Sequence, residues 1–320
     1  MPEILLTRDY PSIATDLLKK ENFEIRQWPE QRPMTPGELV SYSKNADGLL
    51  CTITDKITAE FLSECSRLKV IAQFGVGFDN INVAEATSRG ICVGNTPGVL
   101  TDATADAAFA LLLSVARKTL YNHKQILAGN WRSFEPNKTL GVELKGKTLG
   151  ILGLGRIGVE MARRCRGAYG MTIIYHNRGN NPEAEKELGA KLVPFDELLR
   201  QSDIISAHCA LTPDTRGVFN KTAFSKMKNT AIFINTARGP VHNEEDLYQA
   251  LLSKQIWGAG LDVTNPEPMS ADNLLLSMEN VAVLPHIGSA TIEARTAMAK
   301  LAAENIIGFF KNGKLPNPVN

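Results

Sequence analysis

The sequence predicts an α/β protein built from two doubly wound parallel sheets. Short apolar runs with strand character alternate with helical patterns along the whole chain, which is typical of parallel sheets. The 320 residues are too many for one average domain and suggest two. A glycine-rich strand–turn–helix–strand unit lies between residues 147 and 178, and the predicted second domain is organised around it.

Composition and charge narrow the functional class. The hydrophobic content of 43% is enough for a full core, and the net charge of +1 comes from interspersed charges that indicate neither nucleic acid nor an anionic membrane as a partner. No apolar run has the length of a membrane span, and the N-terminus lacks the features of a signal peptide. The five cysteines are scattered without metal-type spacing. We therefore predict reduced thiols, a cytoplasmic protein and no metal site.

The first domain begins with five predicted strands and a helix over Ile13–Lys20. The strands are expected at Ile4–Leu6, Phe23–Gln27, Gly48–Cys51, Val70–Phe74 and Ile91–Val93. After the fourth strand, the loop from Gly75 to Asp79 presents the backbone amides of Val76 and Gly77. Such a loop either binds a carboxylate or is an ordinary strand-to-helix turn, and the sequence leaves both interpretations open.

A long helix and a long loop separate the two predicted domains. The helix starts near Thr101 and covers Ala103–Ala116, and its apolar residues on nearly all sides predict burial between domains or between subunits. Trp131 and Phe134 follow in a loop that contains proline and glycine, from Gly129 to Gly146. Exposed aromatic residues often mark a subunit contact, although these two side chains would equally suit a cover over the chain's own core.

The second domain is predicted to contain six parallel strands, which suits a dinucleotide-binding Rossmann fold. They are expected at Thr148–Leu152, Thr172–Tyr175, Asp203–Ala207, Ala231–Asn235, Trp257–Leu261 and Val281–Leu284. Helical patterns lie between most of them, and Thr291–Phe310 forms a long helix that we expect to return to the first domain. The Rossmann domain, residues 99–287, would thus be inserted into a flavodoxin-like substrate-binding domain, residues 1–98 and 288–320.

The glycine-rich turn predicts where a dinucleotide binds. Gly153 allows the tight turn, Gly155 allows the backbone to approach a pyrophosphate, and Gly158 allows close packing of helix and strand. Unpaired N–H groups at the helix start would face the phosphates. The predicted phosphate-binding residues are Gly153, Leu154, Gly155, Arg156, Ile157 and Gly158. Glycines also cluster in ordinary tight turns, but here they lie within a strand–turn–helix–strand unit of the right size.

The end of the next strand refines the choice of cofactor. An NAD site usually places a carboxylate there to bind the ribose hydroxyls. This chain has Asn177 and Arg178 instead, and a guanidinium suits a 2′-phosphate. We therefore predict NADP as the preferred cofactor over NAD. The alternative is that Arg178 is a solvated loop charge.

The remaining strand ends carry further functional groups to the same edge of the sheet. Cys209 follows the third strand, Thr236 the fourth, Asp262 the fifth and His286 the sixth. Ligands of open parallel sheets lie along this edge. We predict Cys209, Thr236 and Asp262 as cofactor contacts, with Asp262 accepting from the nicotinamide amide or from a water, and His208 as a structural residue.

Three residues in the loops at this edge of the sheet have side chains suited to reducing a ketone. Arg238 follows a buried strand and would be costly without an anion, which a 2-keto acid carboxylate provides; an internal salt bridge is the alternative. His286 would give the proton that the forming alkoxide needs, although a lone histidine is usually structural. Glu267, in a proline-stiffened loop, would orient His286 and favour its protonated form, unless it is merely a solvated loop residue.

Several motifs together resemble the D-isomer-specific 2-hydroxyacid dehydrogenases along essentially the whole chain. They are VGFDN at 76–80, GLGRIG at 153–158, NTARG at 235–239, GAGLDVTNPEP at 258–268 and LPHIGSAT at 284–291. The resemblance is closest to the glyoxylate/hydroxypyruvate reductase branch. It implies Arg238 as the substrate clamp, Glu267 as partner of a catalytic His286, and the Val76 and Gly77 amides on the substrate carboxylate. It also implies a homodimer built around the long helix after residue 100.

Two departures from related branches sharpen this resemblance. The formate-oxidising branch carries glutamine where this chain has Glu267, and Asn177 replaces the NAD-type aspartate as in NADP-preferring members. We expect NAD(P)H-dependent reduction of glyoxylate or hydroxypyruvate to the D-2-hydroxy acid. A 2-ketogluconate or phosphohydroxypyruvate-type enzyme remains possible on the sequence alone. A corepressor-like protein that senses dinucleotides is the alternative from another class.

Overall fold

The computed structural model describes all residues from 1 to 320 and divides them into two compact units. The first unit comprises Met1–Leu100 and Ala290–Asn320, and the second comprises Thr101–Ser289. Each unit contains one parallel β-sheet with helices packed on it.

The first unit contains a five-stranded parallel sheet. Its strands are β1 (Glu3–Leu6), β2 (Glu24–Gln27), β3 (Gly48–Cys51), β4 (Val70–Gln73) and β5 (Cys92–Gly94). The spatial order is β2-β1-β3-β4-β5, which is the flavodoxin-like order. All five predicted strands are confirmed within one residue at each end. Four of them are mostly apolar, whereas β2 has Glu24, Arg26 and Gln27 among its four residues.

Five helices surround this sheet. They are α1 (Ile13–Lys20), α2 (Pro36–Ser43), α3 (Ala59–Glu64), α4 (Val83–Ser88) and α12 (Ile292–Asn312). The hydroxyl of Thr291 accepts a hydrogen bond from the Ala294 amide at 3.1 Å and caps the start of α12. This last helix of the chain packs on α1 and β4, with the rings of Phe23 and Phe310 5.4 Å apart. The predicted return of the C-terminal helix to the first part of the chain is confirmed.

The second unit contains seven parallel strands rather than the six predicted. They are β6 (Thr148–Leu152), β7 (Thr172–His176), β8 (Lys191–Leu192), β9 (Ile204–Ala207), β10 (Ile232–Asn235), β11 (Gly258–Leu261) and β12 (Val281–Val283). The order is β12-β11-β10-β9-β6-β7-β8, the dinucleotide-binding order extended by one strand. The strand missed from the sequence is β8, because its two residues are exposed at the sheet edge and form no apolar run.

Seven helices belong to the second unit. They are α5 (Thr101–Ala116), α6 (Thr119–Leu127), α7 (Arg156–Tyr169), α8 (Pro182–Leu188), α9 (Phe195–Gln201), α10 (Lys221–Lys226) and α11 (Glu244–Leu252). Most residues of α5 are buried or half-buried, as predicted, and its burial between domains or between subunits stays a prediction. Residues such as Leu112 are buried, but Asp102 and Asp106 are exposed and pair with Arg164 of α7 at 3.1 and 2.6 Å.

Apolar side chains cover both faces of the seven-stranded sheet. Because side chains alternate along a strand, Ile232 and Ile234 pack on the face covered by α5 and α7, whereas Phe233 packs on the face covered by α9, α10 and α11. Strands β9, β10 and β11 are buried along their whole length. The polar groups that follow them are therefore confined to the edge where the strands end. No helix combines the length and the apolar character that crossing a membrane requires.

Candidate active site

Two glycines allow the turn between β6 and α7. Gly153 has a φ of +94°, and a Cβ atom there would lie 2.6 Å from the backbone nitrogen of Cys209. A Cβ atom on Gly158 would lie 2.5 Å from the carbonyl oxygen of Gly153. Both distances are shorter than real Cβ contacts, so any side chain at either position would force the turn to move.

The space in front of this turn fits a dinucleotide pyrophosphate. Gly155 stands immediately before α7, and a Cβ atom there would meet no atom within 4 Å. The amides of Arg156 and Ile157, in the first turn of the helix, have no backbone acceptor. Exposed N–H groups at a helix start bind phosphate through direct hydrogen bonds and the helix dipole.

Asn177 forms a hydrogen bond with the glycine turn, and the neighbouring Arg178 is exposed to solvent. The Asn177 Oδ1 atom accepts a hydrogen bond from the Leu154 amide at 2.7 Å, and Asn181 Nδ2 donates to the Leu154 carbonyl at 3.0 Å. Arg178 is exposed and forms no ion pair. The guanidinium is therefore available to an anionic group bound next to the turn.

His208 and Cys209 follow β9 at the same edge of the sheet, and both are uncharged. The ring nitrogens of His208 lie 2.8 Å from Ser206 Oγ and 3.4 Å from Thr236 Oγ1. Burial lowers the pKa of His208 to about 4, so the ring is neutral, in agreement with its expected structural role. Burial also raises the pKa of the Cys209 thiol to about 11, which makes it an unreactive neighbour of the glycine turn.

The end of β10 holds Arg238 in an extended conformation. Asn235 is fully buried, and its Nδ2 atom donates to the Arg238 carbonyl at 2.9 Å, while its Oδ1 atom accepts from the Ala237 amide at 3.0 Å. The Asn235 Nδ2 atom also lies 3.0 Å from His242 Nδ1. These contacts fix the backbone from which the Arg238 side chain projects.

His286 and Glu267 form a close pair. His286 Nδ1 and Glu267 Oε1 are 2.5 Å apart. Partial burial works to raise the pKa of Glu267, but the hydrogen bond and charge of His286, the Thr264 backbone amide and the Arg238 charge together lower the pKa below its usual value. Glu267 is therefore an ionised acceptor for Nδ1–H, and His286 Nε2 is left to exchange a proton with a ligand.

Asp262, at the end of β11, holds the backbone that carries His286. Its Oδ1 atom accepts from the Ile287 amide at 2.8 Å and its Oδ2 atom from the Gly288 amide at 2.7 Å. Its carbonyl accepts from the His286 amide at 2.9 Å. His286 has a φ of +55°, which is unfavourable for a non-glycine residue and needs such restraint. Burial raises the pKa of Asp262, opposed by the two amide bonds.

The predicted substrate contacts Val76 and Gly77 lie in the first unit, in the loop that follows β4. Val76 is 37% exposed. The same unit has a cavity of about 790 Å³ at the ends of its strands. The cavity is lined by side chains that include Arg8, Trp28, Thr52, Phe74 and Arg295.

Comparison with known proteins assigns the chain to a family. The model of the D-isomer specific 2-hydroxyacid dehydrogenase NAD binding domain matches residues 109–288. The chain is 46% identical to the glyoxylate reductase of Thermococcus litoralis, over 100% of this chain and 97% of the relative.

The chain belongs to the D-isomer specific 2-hydroxyacid dehydrogenases. It is accordingly an NAD(P)-dependent oxidoreductase, as the family resemblance of the sequence implied.

Solved structures support the same assignment. A protein from Thermus thermophilus superposes with a TM-score of 0.92 at 39% identity, covering 99% of this chain and 100% of that one. An NADPH-dependent glyoxylate/hydroxypyruvate reductase from Sinorhizobium meliloti, solved with NADP and malonate, gives a TM-score of 0.86 at 31% identity over 99% and 96% of the two chains. The fold predicted for this dehydrogenase is thus confirmed.

The structure brings together residues of the dehydrogenase that the sequence placed separately, and it adds others. Arg238, Glu267 and His286 follow neighbouring strands of one sheet, and the charges of Arg238 and His286 both act on Glu267. Sequence reasoning missed the support given by Asn235 to Arg238. It also missed that Asp262 holds the His286 loop, although a buried polar residue at a strand end is a usable signal for such a role.

Proposed function

We propose that this dehydrogenase uses NADPH to reduce a small 2-keto acid, glyoxylate or hydroxypyruvate, to the D-2-hydroxy acid. The observation that carries the proposal is the His286–Glu267 pair with the Arg238 charge beside it, at the strand ends next to the glycine turn. A proton donor and a guanidinium at one place suit an anionic ketone. Relatives named glyoxylate reductase share the full length of the chain.

Arg238 is proposed as the group that binds and polarises the substrate. Its guanidinium offers parallel N–H groups that match a carboxylate, and one N–H directed at the ketone oxygen would stabilise the negative charge that develops there. Asn235 restrains the backbone of Arg238, and Arg238 Nη1 donates to the Ala237 carbonyl at 2.8 Å, so the guanidinium is partly positioned before the substrate arrives.

His286 is proposed as the proton donor. A bound reduced nicotinamide supplies the hydride that the carbonyl carbon accepts, and the carbonyl oxygen then needs one proton. Because Nδ1 is held by Glu267, only Nε2 of the imidazolium faces the substrate and transfers the proton. Glu267 keeps the ring oriented through the 2.5 Å contact.

The proposal assigns cofactor binding to the second part of the chain and substrate carboxylate binding in part to the first. Residues 99–287 would form the dinucleotide-binding domain, with contacts from the glycine turn and from Cys209, Thr236 and Asp262. Residues 1–98 and 288–320 would form the substrate-binding domain. The amides of Val76 and Gly77 are its proposed contacts with the substrate carboxylate.

A panel of 2-keto acids assayed by the fall in NADPH absorbance tests the reaction. Glyoxylate and hydroxypyruvate should be reduced with the highest kcat/KM, and 2-ketogluconate, phosphohydroxypyruvate and pyruvate should be reduced more slowly. A higher kcat/KM with 2-ketogluconate or phosphohydroxypyruvate would reassign the substrate. No turnover with any 2-keto acid would contradict the proposed function and favour a dinucleotide-sensing role.

Arg178 is proposed as the residue that makes the enzyme prefer NADPH over NADH. Its exposed guanidinium lies beside the glycine turn and has no ion pair, so a 2′-phosphate would give it a partner. Arg178→Ala should raise the Michaelis constant for NADPH about tenfold and leave that for NADH unchanged, since NADH lacks the phosphate. Lys186→Ala on α8, another exposed cation, serves as the control. A wild-type preference for NADH would contradict the assignment.

We also propose that the protein is a homodimer. No residue of α6 is buried, and the end of this helix and the segment that follows it expose large apolar side chains. The exposed set consists of Ile126, Leu127, Trp131, Phe134 and Leu140. Trp131 is 71% exposed and Phe134 88%, so neither covers the chain's own core. A second copy of the chain is the proposed occupant of this surface.

Sedimentation velocity tests the dimer. The wild type should sediment as a dimer, and the double variant Trp131→Ser/Phe134→Ser should shift towards the monomer at micromolar concentration. Leu192→Ser, which removes an exposed apolar side chain elsewhere, should leave the mass unchanged. A monomeric wild type would contradict the proposal.

The proposed cytoplasmic location is supported by the thiols. All five cysteines are unpaired, and Cys51, Cys65 and Cys165 are buried. Reaction of the unfolded protein purified from its native source with a thiol reagent should titrate five thiols. A smaller number that rises to five after reduction would contradict a reducing compartment.

A further inference from the structure

Three successive carbonyls in the loop after β4 accept hydrogen bonds from other parts of the unit. The carbonyl of Gly75 accepts from the Thr96 amide at 3.0 Å. The carbonyl of Val76 accepts from Asn95 Nδ2 at 2.8 Å, and that of Gly77 accepts from Gln73 Nε2 at 3.2 Å. Two of these three contacts come from side chains, and both donors are neutral amides.

The N–H groups of the same loop are unused. The amides of Val76, Gly77 and Phe78 donate no hydrogen bond to any backbone or side-chain group of the protein. Each carbonyl shares a peptide plane with the amide of the next residue, so the contacts from Thr96, Asn95 and Gln73 orient the N–H groups of Val76, Gly77 and Phe78 in that order. Successive backbone amides without acceptors form a site for an anion.

The Gln73 amide has only one orientation that satisfies its surroundings. Its side chain is buried, with 1% exposed, and its Oε1 atom accepts from Asn80 Nδ2 at 3.3 Å and from Cys51 Sγ at 3.3 Å. A reversed amide would place two N–H donors against each other. The Nε2 atom must therefore face the Gly77 carbonyl.

Asn80 anchors Gln73 to the neighbouring strand end. Its Nδ2 atom also donates to the carbonyls of Thr52 and Asp55, at 3.0 and 2.8 Å. A chain of hydrogen bonds thus runs from the loop after β3, through Asn80 and Gln73, to Gly77. Because Asn80 is only 6% exposed, this chain is shielded from competing water.

We infer that Asn95 and Gln73 are positioning residues that orient the Gly77 and Phe78 amides, beside the Val76 amide, towards the carboxylate of the 2-keto acid. The inference rests on the proposed function and adds to it the residues that orient the carboxylate site. Because the donors carry no charge, the loop contributes oriented dipoles and leaves charge neutralisation to other groups. Loss of either tether should weaken binding of the carboxylate while the chemistry of hydride and proton transfer persists.

The test compares Gln73→Leu and Asn95→Ala with the wild type. Leucine keeps the size of Gln73 and removes the donor, so the peptide between Gly77 and Phe78 loses its tether. The KM for glyoxylate should rise about tenfold in each variant, as expected when an oriented hydrogen bond of ~1.4 kcal/mol is lost. The kcat should fall by less than about threefold, and the Kd of NADPH, from fluorescence titration, should stay within about twofold.

A control separates positioning from general destabilisation. Asn82→Ala removes the cap at the start of α4, where Asn82 Oδ1 accepts from the Glu85 amide at 3.0 Å. It should lower Tm without changing the KM for glyoxylate. Gln73→Leu and Asn95→Ala enzymes that keep the wild-type KM, or that lose kcat and NADPH affinity as strongly as they lose KM, would overturn the inference.

Oxalate binding distinguishes failure of the inference from failure of the proposed function. Oxalate is a two-carbon dicarboxylate whose binding can be measured without any reaction. Calorimetry gives the Kd of oxalate for the complex of the enzyme with NADPH. A wild type that binds oxalate but reduces no 2-keto acid would contradict the proposed function, while a tenfold weaker Kd in Gln73→Leu would still support the positioning role. Absence of oxalate binding, or an equal Kd in wild type and variant, would overturn the positioning role.

Discussion

The strands of the second unit end in two kinds of loop along one edge of the sheet. After β6 the backbone itself is the binding group: glycines shape the turn, and N–H groups at the start of α7 face outwards. After β10 and β12 the binding groups are the side chains of Arg238 and His286. Their backbones are held by buried Asn235 and Asp262.

The two kinds of loop differ in what a substitution removes. A backbone site has no functional side chain to lose, so it is damaged by adding atoms where a ligand or a neighbouring strand must fit. A side-chain site is damaged by deletion, and it depends on buried polar groups that keep the functional side chain in one place. The following substitutions test this contrast, starting with the largest expected effect.

Replacing His286 by alanine should remove the proton donor and leave the backbone site intact. We expect kcat to fall by at least about 100-fold, the lower end for loss of general acid–base catalysis. The Kd of NADPH should be unchanged, because the glycine turn is untouched. His123→Ala, at an exposed histidine of α6, should match the wild type. A kcat for His286→Ala equal to that of the wild type would show that another group gives the proton.

Replacing Arg238 by lysine should weaken substrate binding and keep the cofactor site. Lysine keeps the positive charge but cannot form two parallel hydrogen bonds with a carboxylate. We expect the KM for 2-keto acids to rise about 10- to 100-fold, as for loss of one or two charge-assisted hydrogen bonds. Arg216→Lys, at an exposed arginine, is the matched control. Unchanged Michaelis constants would mean that Arg238 does not clamp the substrate.

Adding one methyl group at Gly155 should block the cofactor without destabilising the fold. The new Cβ meets no protein atom within 4 Å, and the φ of −91° suits alanine. We expect Tm to be unchanged and the Kd of NADPH to rise at least about tenfold, because the methyl group would occupy the space of the pyrophosphate. NADPH affinity like that of the wild type would show that the phosphates lie elsewhere.

Replacing Gly158 by alanine should instead destabilise the fold. There the Cβ atom would lie 2.5 Å from the Gly153 carbonyl, so strand and helix must separate. We expect a loss of about 1–3 kcal/mol in the free energy of unfolding, measured by urea denaturation, as is usual for overpacking. Equal stability of Gly155→Ala and Gly158→Ala would refute the distinction between ligand space and packing space.

The smallest expected effect concerns acid stability. The pKa of Glu267 lies below its usual value of about 4.3, so the ionised carboxylate stabilises the fold above that value and its contribution is lost as pH falls through the lowered pKa. The Tm of the wild type should exceed that of Glu267→Gln by about 1–2 °C at pH 6, since the pair is one-third exposed, and the difference should shrink as the pH falls below about 4.3. A difference that does not change as the pH falls would point to packing rather than charge.

Much of the fold could be read from local patterns. Most strands of both units are apolar runs between turn residues, and α1 was predicted with its observed bounds. Strand β8 was missed because two exposed residues carry no pattern. Local sequence carries the tendency to form an element, whereas its neighbours depend on contacts between distant residues.

The candidate site also has features that local sequence predicts and features that depend on contacts between distant residues. The sequence by itself determined which groups stand at the strand ends, because a glycine turn, an arginine after a buried strand and a histidine after the last strand are local features. Only the tertiary structure decided how these groups are held: the Asp262 carboxylate on the amides of Ile287 and Gly288, and the Gln73 amide on the Gly77 carbonyl. The physical reason is that a buried polar side chain must find its hydrogen-bond partner, and the position of that partner is set by the packing of the whole sheet.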